Sequence, residues 1–297
     1  MVISFYYLNL RADKKMVNQM SKSECIDTAV IYTKKFGFIS KSFFWKYLSP
    51  TPRSTKYYYW DRFLKSKFFI PYREIEESSE FFYLNSRKSN SVIDGNETVS
   101  RRSPYYFFHD DKVMRIIHLL TVNGFVKKYW TEQELKSNRP LALDLLGGDY
   151  TKLPDLVFDL NISNQEFRVA LEVEITRKSN DRYLRSFLGY SSFRNVDLIL
   201  FANQQSRITN ALKEILSKRL FDDSTRKFGF FDLVGFNQNH LATDLEINSK
   251  TIPLGQFFRN LIEIKSTKNG YESDNPLEKN WTTVQNKFEM PGQKIGA

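Results

Sequence analysis

Two adjacent segments, Lys152-Leu-Pro-Asp155-Leu-Val-Phe-Asp-Leu160 and Phe167-Arg-Val-Ala-Leu-Glu172-Val-Glu174-Ile-Thr-Arg-Lys178, decide how the chain is read. Each is a strand pattern, and the polar turn Ile162-Ser-Asn-Gln165 joins them. Side chains alternate across a strand, so Glu172 and Glu174 share one face while Val169, Leu171 and Val173 line the other. An acid behind a proline opens the first strand, and two acids sit in the second. Carboxylates gathered at a sheet edge are what a hard divalent cation such as Mg²⁺ prefers, so phosphodiester chemistry is the first hypothesis. The plain alternative is a half-exposed sheet with its glutamates outward and paired with Arg177 or Lys178, which needs no metal.

Working outward, the downstream pattern continues as an α/β unit. A helix is expected over 181–194, a nearly continuous apolar strand over 195–202, a helix over 207–220 and a strand over 228–236. Upstream, residues 111–123 place Val113, Ile116, Ile117 and Leu120 at helical spacing. Thr131 and Glu134 have the spacing of a capping box, although Glu132 or Glu134 could instead deliver another carboxylate. His109 and His118 read as packing or capping residues, with no second histidine near enough to form a metal motif.

The N-terminal third has a different character. A helix from Ser23 ends at Gly37, Ser40 caps a second over 41–48, and Pro52 opens a third reaching about Lys65. Strand patterns over 68–75 and 80–85 flank Glu-Glu-Ser-Ser as a hairpin. Three helices followed by a hairpin is the order of a winged helix-turn-helix, whose third helix enters the DNA major groove. Arg53, Lys56, Tyr57 and Arg62 are then the candidate DNA contacts, with Phe63 and Leu64 expected in the core. About half of the run Tyr57-Tyr-Tyr-Trp60 is expected to be packing.

Charge supports a polyanionic partner. Residues 1–105 hold 18 Lys/Arg against 10 Asp/Glu, a net of +8, whereas the remainder holds 26 against 24. Within 34–67 there are nine basic residues and one acid, Asp61. Such charge supplies affinity through phosphates and says little of sequence preference. The domains expected are a winged helix over 1–85, a linker over 86–104, an α/β domain over 105–267 and a flexible tail over 268–297 with Trp281 as a docking residue.

The single cysteine, Cys25, excludes an intramolecular disulfide and any Cys-based zinc site and fits a reducing cytoplasm. No apolar run is long enough to span a bilayer, and the apolar part of MVISFYYLNLRADKK precedes its charges, the wrong order for a secretory signal.

Pro154-Asp155, the strand after it, Glu172-Val-Glu174 and the following helix and strand resemble the PD-(D/E)XK nuclease superfamily. With the basic winged helix, Trp130 and the glutamates behind it, and the pair Arg182-Tyr183, residues 24–236 are similar to the replication-relaxation family of mobile-element proteins. The resemblance implies an α/β/α nuclease-like domain in which Asp155, Glu172 and Glu174 bind Mg²⁺ or Mn²⁺. It also implies double-stranded DNA as partner, within a plasmid or mobile-element nucleoprotein complex. The chain departs from the pattern in one place: Glu174 stands where the family has lysine. Lys178 keeps the even spacing and would share the glutamates' face if the strand continued. Two functions follow, a Mg²⁺-dependent endonuclease or nickase, and a non-catalytic DNA-binding factor in replication, mobilisation or transcription.

Overall fold

The computed structural model describes residues 22–49, 53–72, 81–85, 103–148, 150–162, 166–218, 227–247 and 250–267. The expected cap at Thr51 and Pro52, the hairpin turn, nearly all of the linker and the tail with Trp281 lie outside these residues. The chain divides into two compact units, 1–124 with 131–137, and 125–130 with 138–297.

The first unit begins with helix α1 (Lys22–Phe36). Gly37 ends it with a φ of 79°, and its N–H donates to Thr33 O at 2.8 Å. Strand β1 (Ile39–Ser40) runs directly into α2 (Lys41–Phe43), because the Ser40 hydroxyl accepts the Phe43 N–H at 2.9 Å. The helix then widens into a π turn over Phe44–Leu48, burying Phe43 and Phe44 with Tyr47 and Leu48 one turn on. Helix α3 (Arg53–Lys65) buries Tyr59 and Phe63, and Phe63 stacks on Phe69 at 4.0 Å and on Trp60 at 4.8 Å. Strands β2 (Phe69–Pro71) and β3 (Phe81–Leu84) pair antiparallel as expected. The unexpected strand is β1, which pairs with the other edge of β3 to give the order β1-β3-β2.

Helix α4 (Phe107–Val122) was expected to open the second domain, yet it packs in the first unit. Its rings explain why. Phe107 stacks on Phe38 at 4.3 Å, and His118 hydrogen-bonds the Tyr32 hydroxyl at 3.0 Å. Burial drives the His118 pKa down to about 4, which makes it a neutral core histidine. Helix α5 (Glu132–Ser137) carries the expected capping box: Glu134 accepts the Thr131 N–H at 2.8 Å and donates its own N–H to Thr131 Oγ1 at 3.3 Å. Glu134 also pairs with Lys35 at 2.8 Å.

The second unit is built on a mixed seven-stranded sheet of order β10-β9-β8-β7-β6-β5-β4. Its strands are β4 (Val126–Thr131), β5 (Leu156–Leu160), β6 (Arg168–Glu174), β7 (Leu198–Asn203), β8 (Lys227–Asp232), β9 (Asp244–Ile247) and β10 (Lys250–Pro253). Its helices are α6 (Arg139–Leu146), α7 (Asn180–Ser191), α8 (Ser206–Lys218), α9 (Leu233–Asn239) and α10 (Leu254–Thr267). Strands β6, β7 and β8 are parallel, while β5 runs antiparallel to β6 and β9 to β8. Every residue of β5, β6 and β7 is buried, as fits interior strands.

The strand expected over 228–236 ends early. The Asp232 carboxylate accepts the Gly235 N–H at 2.5 Å, so residue 232 caps α9 and the chain turns helical. The β9–β10 hairpin, α6 and β4 were not foreseen. Among the described residues no helix is long and apolar enough to cross a membrane.

Candidate functional site

Strand β6 positions two of the four site residues read from the sequence. Glu172 and Glu174 share a face, as alternation requires, but the solvated edge is wrong: β6 lies inside the sheet and each glutamate is 2 % exposed. The β5–β6 register pairs Leu156 with Leu171, and one further step sets Asp155 opposite Glu172. Facing residues of an antiparallel pair hold their Cβ atoms about 4.5–5.5 Å apart, so these two carboxylates are neighbours. Asp155 Oδ2 accepts the Val173 N–H at 2.7 Å, which fixes the acid just beyond the start of β5.

The fourth residue reaches the site by another route than expected. Strand β6 stops at Glu174, so Lys178 does not continue its face. The chain instead turns toward α7, where Ser179 caps the helix and the Tyr183 hydroxyl accepts the Lys178 N–H at 3.0 Å. That turn brings Lys178 Nζ to Glu174 Oε1 at 2.6 Å.

A fifth residue was missed. Lys152 forms an ion pair with Glu172 Oε1, and its ammonium lies 5.1 Å from the centroid of the buried Tyr190 ring. The only sequence signal was its place three residues ahead of Asp155. Asn203 was missed as well. It stands in register with Glu174 at the end of β7, fully buried, and donates to Thr209 Oγ1 at 3.0 Å.

The electrostatics follow from burial. Glu172 has its pKa held well above the ordinary value, first by burial and then by the charge of Asp155, with Lys152 working against both. Burial also opposes the Lys152 ammonium, but the charges of Glu172 and Asp155 outweigh it and raise its pKa. Acids are thus crowded where a carboxylate ionises reluctantly, and two lysines supply the compensating charge. Groups shifted by burial and by specific charged neighbours occur both at functional sites and in structural ion-pair networks.

Asp155 and Glu172 offer neighbouring hard oxygen donors whose mutual repulsion a divalent cation would remove, so the donor set fits Mg²⁺ or Mn²⁺. Among the described residues no group of three His, Cys, Asp or Glu side chains converges as a metal cage. Water and substrate oxygens would have to complete the shell, which is how Mg²⁺ is commonly held.

Helix α3 distributes the candidate DNA contacts unevenly. Lys56 is half-buried and shares the stripe of Tyr59, Trp60 and Phe63 by its spacing. Tyr57 is 52 % exposed and packs edge-on against Trp45 at 5.1 Å. Arg62 is exposed, about two and a half turns from Arg53, which places the two positions on opposite sides of the helix. The four do not form one patch. The open face instead carries Tyr58 with Arg62, and Tyr57 with the Asp61–Lys65 ion pair at 2.8 Å. Leu64, expected in the core, is 49 % exposed, because the buried stripe of α3 passes through Tyr59 and Phe63.

Comparison with known protein families, curated proteins and solved structures finds no match to this chain.

Proposed function

We propose that the chain is a DNA-binding protein of a plasmid or mobile element whose second unit is a Mg²⁺-dependent endonuclease or nickase. The observation that carries this reading is the buried Glu172 beside Asp155, reluctant to ionise, with two lysines at the cluster. An antiparallel strand pair with its acid at the entrance, followed by parallel strands alternating with α7 and α8, agrees with a PD-(D/E)XK-type domain. Three helices and the β1-β3-β2 sheet agree with a winged helix-turn-helix that places α3 against double-stranded DNA.

In this reading Asp155 and Glu172 hold the ion. Mg²⁺ or Mn²⁺ held by these two residues would polarise the scissile phosphodiester and lower the pKa of the attacking water. Glu174, fixed by Lys178, orients that water. Lys152 and Lys178 place positive charge where the phosphate gains negative charge. Lys152 thereby answers the departure at Glu174, since a cation comes from the loop ahead of Asp155 instead of from the strand.

The test is a supercoiled-plasmid assay with Mg²⁺ or Mn²⁺, paired with calorimetric titration of the metal. Wild type should nick and bind the ion, and Glu172→Ala should lose both. No nicking by wild type with either metal would sink the enzyme reading. The ion pairs of both glutamates favour a second reading, a catalytically inactive DNA-binding factor in replication, mobilisation or transcription. It expects DNA binding that is indifferent to Glu172→Ala.

A further inference from the structure

A second cluster lies in the first unit, on the helical segment 41–48 and on α4. Ser42 and Lys46 are four residues apart on the helical segment 41–48, and Lys112 and Arg115 are three apart on α4, so each pair shares a face of its helix. Arg115 Nη2 joins the two elements by donating to Ser42 Oγ at 2.9 Å. The same nitrogen pairs with Asp111 Oδ2 at 2.6 Å, and the Ser40 hydroxyl donates to Asp111 Oδ1 at 2.5 Å. Both oxygens of the carboxylate are therefore engaged, and the guanidinium is held in place.

Lys112 and Arg115 lie near this acid, and Lys46 lies near Arg115. Lys112 makes no ion pair with any described carboxylate, and Arg115 Nε is buried without a hydrogen-bond partner. Burial, and after it the charge of Arg115, lowers the pKa of both Lys46 and Lys112, so each lysine feels the guanidinium. A guanidinium held in place near two ammonium groups matches an oxyanion, which would offset their repulsion.

We propose that Lys46, Lys112 and Arg115 form a phosphate-binding site on the first unit, one that takes a backbone phosphate of bound DNA. The DNA source rests on the proposed function; the oxyanion chemistry does not.

The experiment uses the full chain and the double variant Lys46→Gln/Lys112→Gln, which leaves the Ser40–Asp111–Arg115–Ser42 network intact. One arm reads the thermal midpoint in inorganic phosphate against chloride at matched ionic strength. The other reads duplex-DNA affinity against KCl by fluorescence anisotropy. Losing the site's one phosphate should reduce the slope of log K against log salt by up to about 0.9. Lys46→Gln alone, at an exposed position, should give about half of that change and guards against misfolding of the double variant.

A reduced slope supports the backbone source. A phosphate-specific rise in midpoint that the variant loses, with the slope unchanged or with no DNA binding by wild type, supports the site with free phosphate as ligand; absent DNA binding separately sinks the DNA reading. Equal slopes together with equal phosphate responses would overturn the proposal.

Discussion

Replacing Glu172 with Gln isolates the proton that the site holds. The group's pKa lies well above its ordinary 4.5 because burial and Asp155 disfavour the anion. Above pH 4.5 the unfolded chain has released that proton while the folded chain keeps it, so the native state binds more protons and stability falls as pH rises. Each pH unit costs the wild type about 1.4 kcal/mol until the folded pKa is reached. From pH 4.5 upward the stability of Glu172→Gln relative to wild type should therefore grow until the folded group gives up its proton.

The measurement is equilibrium urea unfolding of both proteins at three pH values, followed by circular dichroism. Excess Mg²⁺ should shrink the difference, because an ion held by Asp155 and Glu172 displaces the proton. A difference that is flat from pH 4.5 to 6 would mean that Glu172 titrates normally. A difference of opposite slope would mean that the Lys152 ion pair outweighs burial. Either result refutes the electrostatic account of the site.

His118 should behave in the opposite sense: its pKa is lowered from 6.5 to about 4, so the unfolded chain takes up a proton first and stability is lost as pH falls. Relative to His118→Gln, wild type should lose roughly 3 kcal/mol between pH 6.5 and 4 in the same urea assay. Phe63→Ala, which removes the ring stacked on Phe69 and Trp60, should cost about 3–5 kcal/mol of first-unit stability by urea titration. Thr131→Ala breaks the capping box of α5 and should cost about 1 kcal/mol in the same measurement. Arg62→Ala should weaken duplex binding and flatten its salt dependence, measured by anisotropy, whereas Lys56→Ala should mainly lower the melting temperature because Lys56 sits on the packed stripe of α3.

Much of the local structure was legible. Gly37 and Ser40 mark their helix ends through backbone and side-chain hydrogen bonds made within a few residues. The alternation in 168–174 sets Glu172 and Glu174 on one face whatever lies beyond. The failures are as specific. Apolar Phe231, Leu233 and Phe236 suit a strand or a helix equally, and the Asp232 cap decides for the helix after residue 232. Strand β1 is only two residues long, too short to leave a periodic signal, and exists because β3 offers it an edge.

At the site the division has the same cause. The sequence by itself determined that Glu172 and Glu174 share one face of their strand, because peptide geometry requires it, and that Asp155 stands ahead of the strand before it. Only the tertiary structure decided that β6 is flanked on both sides, which turns ordinary surface glutamates into buried ones with a raised proton affinity at Glu172. Only the fold brings Lys152 to Glu172 across twenty residues and Lys178 to Glu174 beyond the end of a strand. Desolvation and long-range pairing are properties of packed neighbours, and no local pattern carries them.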